Sequence, residues 1–349
     1  MPNPSNIKTL GRTYYDGEIL WCSHSGTGAE FTFTGTKAEV TVLSDSITGL
    51  ESNHANYARI AIFANGNKAV DVIVSQKEKT YTVFESEKPE DVTVKIVKLS
   101  ESAMSTIGIK ALTVCAETGV KPTPQKDKLI EFIGDSITCG YGIDNGIDGE
   151  FAASAENATK SYAYLTAEKL NTDYSIVSFS GYGVYSGYSA AGERNETELV
   201  PHYYDKIGFS YGNMANGKNI SSFEWDFTLR QPDIIVINLG TNDASYCKDI
   251  KVRQREFSLA YIEFLKQVRS LNPNAFIVCT LGMCGTVLCE PMENAVTDYI
   301  SKTGDTKISS MRFDDQKAED GYAADRHPSE ETNIKAAEKL TEFLRLTSN

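Results

Sequence analysis

The pattern of apolar and polar positions changes partway along the chain. In the first third, short stretches alternate. Phe31-Thr32-Phe33 and Val40-Thr41-Val42 flank Gly35, which reads as a hairpin signal between two strands. Ile60-Ala61-Ile62-Phe63 and Val70-Asp71-Val72-Ile73-Val74 flank Asn65-Gly66. Asn-Gly is a strong two-residue hairpin signal, because both positions must tolerate positive φ. Tyr81-Thr82-Val83-Phe84, Val92-Thr93-Val94-Lys95-Ile96-Val97 and the run 107–114 continue the series. Many short strands with regular turns predict an all-β sandwich, in jelly-roll form, over residues 1–118. Residues 119–128 carry Pro122, Pro124 and several lysines and read as a linker.

From 129 onward the strands become continuous apolar runs, at 129–133, 174–179, 233–239 and 275–281. Between the last two, Phe257, Tyr261, Phe264, Leu265 and Val268 fall on one face of a helix. A closing helix is predicted over about 329–346, with Ser329 as N-cap and Ile334, Ala337, Thr341 and Leu344 along one side. Continuous strands alternating with helices predict a parallel sheet covered on both faces, a three-layer α/β/α domain over 129–349. No internal repeat is visible.

Composition narrows the function. The chain has 349 residues, and its net charge of −13 repels phosphate backbones and anionic lipid, so nucleic acid and membrane surfaces are excluded as partners and a neutral substrate fits better. No apolar stretch approaches the roughly 18 residues that span a bilayer. The opening Met1-Pro2-Asn3-Pro4-Ser5-Asn6 has neither a basic nor an apolar signal region. That predicts a cytoplasmic protein, with a secreted form whose signal was removed as the alternative. Seven cysteines, an odd number at low density, argue against a disulfide scaffold. The even spacing of Cys279, Cys284 and Cys289 lacks the tight pairs of a cluster site, so no metal and no cofactor is expected. Oligomeric state is not legible.

The chemistry concentrates where apolar runs end. Gly134-Asp135-Ser136-Ile137 closes the first run, and Leu239-Gly240-Thr241-Asn242-Asp243 closes a later one. In open α/β sheets the carboxyl edge is where ligands bind. A serine hydroxyl there needs a base to become a nucleophile. Of the four histidines, His24 and His54 fall in the β region and His202 in a Tyr-rich polar stretch. His327 sits at a loop-to-helix junction in Asp325-Arg326-His327-Pro328, with a carboxylate two residues earlier, and is the best base. Alone it would read as a solvated loop histidine; beside Ser136 and Asn242 it does not. Donors for a developing oxyanion are the Asn242 side chain and the backbone N–H groups of Ser136 and Gly181, with Gly183 competing. Asp135 and Asp243 read as loop-shaping carboxylates. Tyr182, Tyr185, Tyr188 and Trp225 are candidates to stack on sugar rings, or are ordinary packing.

These four blocks, in this order, resemble the SGNH (GDSL-type) hydrolases. The run Gly134-Asp135-Ser136-Ile137-Thr138-Cys139-Gly140-Tyr141-Gly142 resembles the nucleophile block of carbohydrate esterase family 2. Leu10-Gly11-Arg12 and Glu30-Phe31-Thr32-Phe33-Thr34-Gly35-Thr36 are similar to that family's N-terminal β domain. Residue 138 is Thr, so the Gly-x-Ser-x-Gly elbow is absent. The resemblance implies a metal-free esterase that removes acetyl groups from hemicellulose-derived oligosaccharides, acetylated mannan or xylan, favouring 6-O or other accessible positions. It implies Ser136 as nucleophile, His327 as base, and Ser136, Gly181 and Asn242 as the oxyanion hole. The family's wider pattern has Asp-x-x-His, a position occupied here by Ala324. Either Asp325 or a backbone carbonyl then orients His327. A GDSL-type thioesterase or lysophospholipase and a non-catalytic carbohydrate-binding protein are the alternative readings.

Overall fold

The computed structural model describes residues 1–347 and divides into two compact units. The first comprises Met1–Lys126, Phe151–Ala158 and Lys206–Trp225; the second comprises Asp127–Glu150, Thr159–Asp205 and Asp226–Asn349.

Among the described residues of the first unit, nine strands pair antiparallel: β1 (Lys8–Leu10), β2 (Thr13–Tyr15), β3 (Leu20–Cys22), β4 (Gly28–Ser44), β5 (Arg59–Ala64), β6 (Asn67–Ile73), β7 (Glu78–Lys98), β8 (Ile107–Ala116) and β9 (Lys121–Pro122). Their order is β2-β3-β8-β4-β7-β5-β6, with β1 and β9 also on β4. Phe31, Phe33, Val40, Val42, Ile60, Ile62, Val94 and Ile96 meet in one buried cluster, the main core of this unit. Asn65 and Gly66 turn between β5 and β6 with φ of +49° and +79°, the geometry the Asn-Gly pair predicts.

Two expectations give way here. Gly35 does not make a hairpin; β4 runs straight through it, and the ladder slips between Gly35 and Lys37. A Cβ at Gly35 would lie 2.3 Å from the Cys115 carbonyl oxygen, so the glycine answers to close strand approach at a bulge. Likewise 81–84 and 92–97 belong to one long strand, β7.

The first unit also takes in two pieces of chain beyond 129, which the sequence boundaries kept within the α/β domain. Arg59 Nη1 donates to the carbonyls of Ser154 (2.9 Å) and Glu156 (3.2 Å), and Glu156 accepts the Glu101 amide at 2.7 Å. Ile207, Met214 and Ile220 close over Trp21 and Leu43 in a second apolar cluster. Short apolar residues inside polar loops gave no sign of this. Within the expected linker, the Pro124 carbonyl accepts Lys8 Nζ at 3.1 Å.

In the second unit five parallel strands lie in the order β11-β10-β12-β13-β14: β10 (Leu129–Gly134), β11 (Asp173–Ser178), β12 (Ile234–Asn238), β13 (Phe276–Met283) and β14 (Ile308–Asp315). The helices are α1 (Ser136–Cys139), α2 (Tyr162–Leu170), α3 (Thr241–Cys247), α4 (Lys251–Leu271), α5 (Cys289–Thr303) and α6 (Glu330–Thr347). β10, β11 and β12 are buried along their whole length, as continuous apolar runs require. Strand β14 escaped the sequence reading because it is an edge strand with alternating exposure.

Helix α4 buries Phe257, Tyr261, Phe264, Leu265 and Val268. Ser329 Oγ accepts the Thr332 amide at 3.2 Å at the start of α6. That helix buries Ala336, Ala337, Leu340, Thr341 and Leu344, with Ile334 only half-buried, a slight rotation from the expected face. Helices α2 and α6 pack together, as do α4 and α5. The chain leaves β10 toward β11 and returns on the other side toward β12. With right-handed crossovers this sends the helices to opposite faces and opens a crevice at the carboxyl ends of β10 and β12.

Candidate active site

Ser136 and Asn242 follow the two strands that border this crevice. At the end of β10 the chain turns within one residue. A Cβ on Gly134 would lie 2.0 Å from Thr138 Oγ1, so only glycine lets the turn close. Asp135 caps α1 from an extended conformation, and its Oδ1 accepts the Ile137 amide at 3.1 Å. Ser136 opens the single-turn helix, and Gly140 ends it in the left-handed region. The serine is 6% exposed, shielded but reachable.

His327 comes from the loop before α6. Its Nε2 lies 2.9 Å from Ser136 Oγ, and its Nδ1 lies 3.1 Å from the Ala324 carbonyl oxygen. A carbonyl only accepts, which assigns the imidazole proton to Nδ1 and leaves the Nε2 lone pair facing the serine hydroxyl. Burial pushes the His327 pKa below its ordinary value, and the Ala324 carbonyl and the Asp325 charge partly oppose this. The ring is thus held neutral, the state a base requires.

Asp325 does not orient the ring. Its carboxylate accepts the Tyr141 hydroxyl at 2.7 Å, and its backbone is left-handed with φ +51°. With two residues of spacing and that backbone, the carboxylate reaches Tyr141 and a backbone carbonyl takes the place beside Nδ1. Gly142 makes the approach possible, because a Cβ there would sit 2.6 Å from Ala324 Cβ.

Of the two competing glycines, Gly183 has its amide occupied by the Glu198 carbonyl at 3.1 Å. The Gly181 amide meets no acceptor among the described residues, and Gly181 stands at φ +84°. Asn242 Nδ2 donates to the Tyr182 carbonyl at 2.9 Å and approaches Asp135 Oδ2 at 3.3 Å. These bonds tie the 181–182 turn and Asn242 to the residue preceding Ser136. An oxyanion arriving at Asn242 would compete with the longer of its two bonds, the one to Asp135. Burial, with the Asp243 charge adding, pushes the Asp135 pKa up to about 7.

Asp243 shapes the neighbouring loop. Its carboxylate accepts the amides of Val184 (3.1 Å), Tyr185 (2.6 Å) and Ser186 (2.9 Å). Burial raises its pKa to about 6, against the pull of those amides.

The aromatic candidates separate. Tyr182 is buried against Phe179 and Tyr203. Tyr185 is buried too, its hydroxyl bonded to Glu256 and its ring under the Arg194 guanidinium at 3.9 Å. Trp225 packs in the first unit beside Phe223, with the Arg12 guanidinium 5.6 Å from its ring centre. Trp225 is half-buried, whereas Tyr182 and Tyr185 are engaged in packing and do not offer a free face to a sugar. Tyr188 does: it is 59% exposed, and its amide donates to the Gly181 carbonyl at 2.7 Å. Beside it, Asn195 Nδ2 bonds Glu198 at 2.7 Å. Tyr141 was not singled out as a site group from sequence, and the backbone carbonyl named there as the alternative orienter had no residue number. The first is one tyrosine among eighteen, and a backbone carbonyl leaves no side-chain signal.

Residues 130–340 match the model of the GDSL-like lipase/acylhydrolase family. The chain belongs to that family. Residues 9–124 match the model of the carbohydrate esterase 2 N-terminal domain. Over 325 residues, 92% of the chain, it is 29% identical to the cellulase/esterase CelE of Acetivibrio thermocellus, and it spans 37% of that protein's length. An acetyl xylan esterase of Butyrivibrio proteoclasticus has the same fold, with a TM-score of 0.88 at 26% identity, covering 99% of this chain and 96% of that one. A family 2 carbohydrate esterase of Clostridium thermocellum, solved with cellohexaose, aligns with a TM-score of 0.83 at 27% identity, covering 98% of this chain and 99% of that one.

Proposed function

We propose that this chain is a serine esterase that removes O-acetyl groups from hemicellulose-derived oligosaccharides of the xylan or mannan type, at 6-O or other accessible positions. The observation that carries the reading is the Ser136 Oγ–His327 Nε2 contact of 2.9 Å with the opposite ring nitrogen on the Ala324 carbonyl. The substrate class is drawn from the relatives, described as acetyl xylan esterase and as a carbohydrate esterase holding cellohexaose.

In the proposed reaction His327 Nε2 takes the Ser136 proton as Oγ attacks the acetyl carbonyl. The negative charge passes to the carbonyl oxygen, which the amides of Ser136 and Gly181 and the Asn242 side chain receive. The imidazolium, its Nδ1–H still donated to the Ala324 carbonyl, gives the Nε2 proton to the departing sugar oxygen. Water, deprotonated by the same nitrogen, then releases acetate from the acyl-serine. The exposed ring of Tyr188 offers the apolar face on which a pyranose can stack. Seven free thiols suit a reducing compartment, and we place the enzyme in the cytoplasm, acting on short imported oligosaccharides. Native protein in a culture supernatant would overturn that placement.

The test is acetate release from acetylated xylo- and manno-oligosaccharides, wild type beside Ser136→Ala, with NMR following which O-acetyl signals disappear. Release that depends on Ser136 supports the reading. Cleavage of a thioester or lysophospholipid in place of both sugars refutes the carbohydrate assignment, and retained sugar binding without any turnover refutes the enzyme.

A further inference from the structure

The loop that delivers His327 is held in an uphill conformation. Asp325 and Arg326 are consecutive non-glycine residues with φ of +51° and +59°. Left-handed residues of this kind are strained and persist only where their surroundings enforce them. Some of the enforcement is backbone: the Ala323 amide donates to the His327 carbonyl at 2.9 Å, and Gln316 Nε2 to the Arg326 carbonyl at 2.8 Å. The rest comes from the nucleophile turn. The Tyr141 ring lies against the His327 imidazole, centroids 4.1 Å apart and planes inclined by 31°. The same tyrosine donates its hydroxyl to Asp325 Oδ2 at 2.7 Å. The Ala324 amide reaches the Gly142 carbonyl at 3.3 Å.

We infer that Tyr141 and Asp325 are positioning residues: the tyrosine ring backs the imidazole while its hydroxyl clasps the strained 324–326 turn, which fixes the Ala324 carbonyl against His327 Nδ1. The inference rests on the esterase reading of Ser136 and His327. It assigns Asp325 a part different from that of a triad carboxylate. Asp325 acts on the backbone conformation through Tyr141, and the carbonyl of the residue before it does the orienting. The clasp also explains why a tyrosine stands between Gly140 and Gly142. The left-handed glycines let the chain lift the ring over the imidazole.

Three variants test it. Tyr141→Phe keeps the ring and removes the clasping hydroxyl. Asp325→Gly removes the carboxyl and also the left-handed penalty. Asp325→Asn keeps an acceptor for the hydroxyl in a residue that tolerates the left-handed region. We expect Tyr141→Phe and Asp325→Gly each to lower kcat about tenfold, the order of one lost hydrogen bond, with KM nearly unchanged. The double variant should lose no more than the worse single, and Asp325→Asn should recover most of what Asp325→Gly loses. A readout independent of turnover is the His327 Nδ1 proton resonance. It should broaden or shift upfield in Tyr141→Phe and persist in Asp325→Asn. Losses that multiply in the double variant, or Asp325→Asn as damaged as Asp325→Gly, would show that Asp325 acts through its charge and would overturn the clasp. So would a Tyr141→Phe enzyme with wild-type kcat and an unmoved proton. If Ser136→Ala retained full activity, the esterase reading itself would fail, while the proton resonance would still report on the clasp.

Discussion

His327 Nδ1 rests on the carbonyl oxygen of Ala324, 3.1 Å away, where a carboxylate stands in a triad. A neutral carbonyl stabilises the imidazolium less than a carboxylate does, and burial already works against the charged ring. The protonated base is therefore disfavoured in the resting enzyme. The expected consequence is an acidic limb in the pH profile of kcat/KM whose midpoint lies below 6.5, the ordinary histidine value. The same shift bears on stability. The unfolded histidine takes up its proton near 6.5 and the folded one at lower pH, so this group's contribution is present above 6.5 and is lost as pH falls through the folded value. A kinetic midpoint at or above 6.5, measured with a neutral acetyl ester, would contradict the geometry.

In the proposed reaction Asn242 gives the oxyanion the hydrogen it otherwise turns toward Asp135, while the other holds the Tyr182 carbonyl. Asn242→Ala should therefore reduce kcat by about 10²–10³, the usual loss of one oxyanion donor, with a smaller effect on KM. Asn242→Asp should be at least as poor, since it sets a second carboxyl against Asp135 Oδ2. Steady-state kinetics on an acetylated xylo-oligosaccharide decide this; a loss below about fivefold for Asn242→Ala would remove Asn242 from the hole.

How much of this was legible in the sequence depends on the kind of group involved. Ser136, His327 and Asn242 were legible as candidates because each is a side chain whose chemistry has few other uses at the end of a buried strand or beside a helix start. The parallel strands β10 to β13 were found because doubly covered strands must be apolar throughout. What stayed hidden were relations set by backbone. The Ala324 carbonyl has no residue signature, and the left-handed turn at Asp325 decides that its carboxylate meets Tyr141. Periodicity could not tell a bulge at Gly35 from a turn, since glycine serves both. Tyr182 and Tyr185 looked like platforms because sequence shows an aromatic ring and hides what covers it.

Asp135 carries the clearest signature for stability. Burial raises its pKa from 3.8 to about 7. A carboxyl that holds its proton more tightly folded than unfolded favours the fold below about pH 4, and this contribution is lost as pH rises through about 7. Asp135→Asn cannot ionise. Denaturation at about pH 4.5 and about pH 8 should therefore show the variant gaining on the wild type toward high pH, by up to about 3 kcal/mol, since each tenfold change in proton affinity is worth roughly 1.4 kcal/mol. Comparing the two conditions cancels any fixed cost of the amide beside Asn242. Parallel curves for the two proteins would mean that Asp135 titrates normally.

The loop carrying Gly181 is moulded on Asp243, and Gly183 is where the fit is tightest. A Cβ at Gly183 would lie 2.0 Å from the Ser186 carbonyl oxygen and 2.7 Å from Asp243 Oδ2. The first of these atoms is backbone and the second belongs to a carboxylate whose other oxygen is held by three amides, so neither can swing aside. Gly183→Ala must push the 184–186 amides off the Asp243 carboxylate, leaving a buried charge short of donors. We expect a loss of about 2–4 kcal/mol in denaturant unfolding, combining overpacking with weakened hydrogen bonds to a charged group. Gly192→Ala is the control: it stands at a positive φ of +80° but meets nothing within 4 Å, so it should cost only the backbone strain of about 1 kcal/mol. If the two alanine variants unfold alike, the Asp243 nest does not hold the loop, and the position of the Gly181 amide must depend on other contacts.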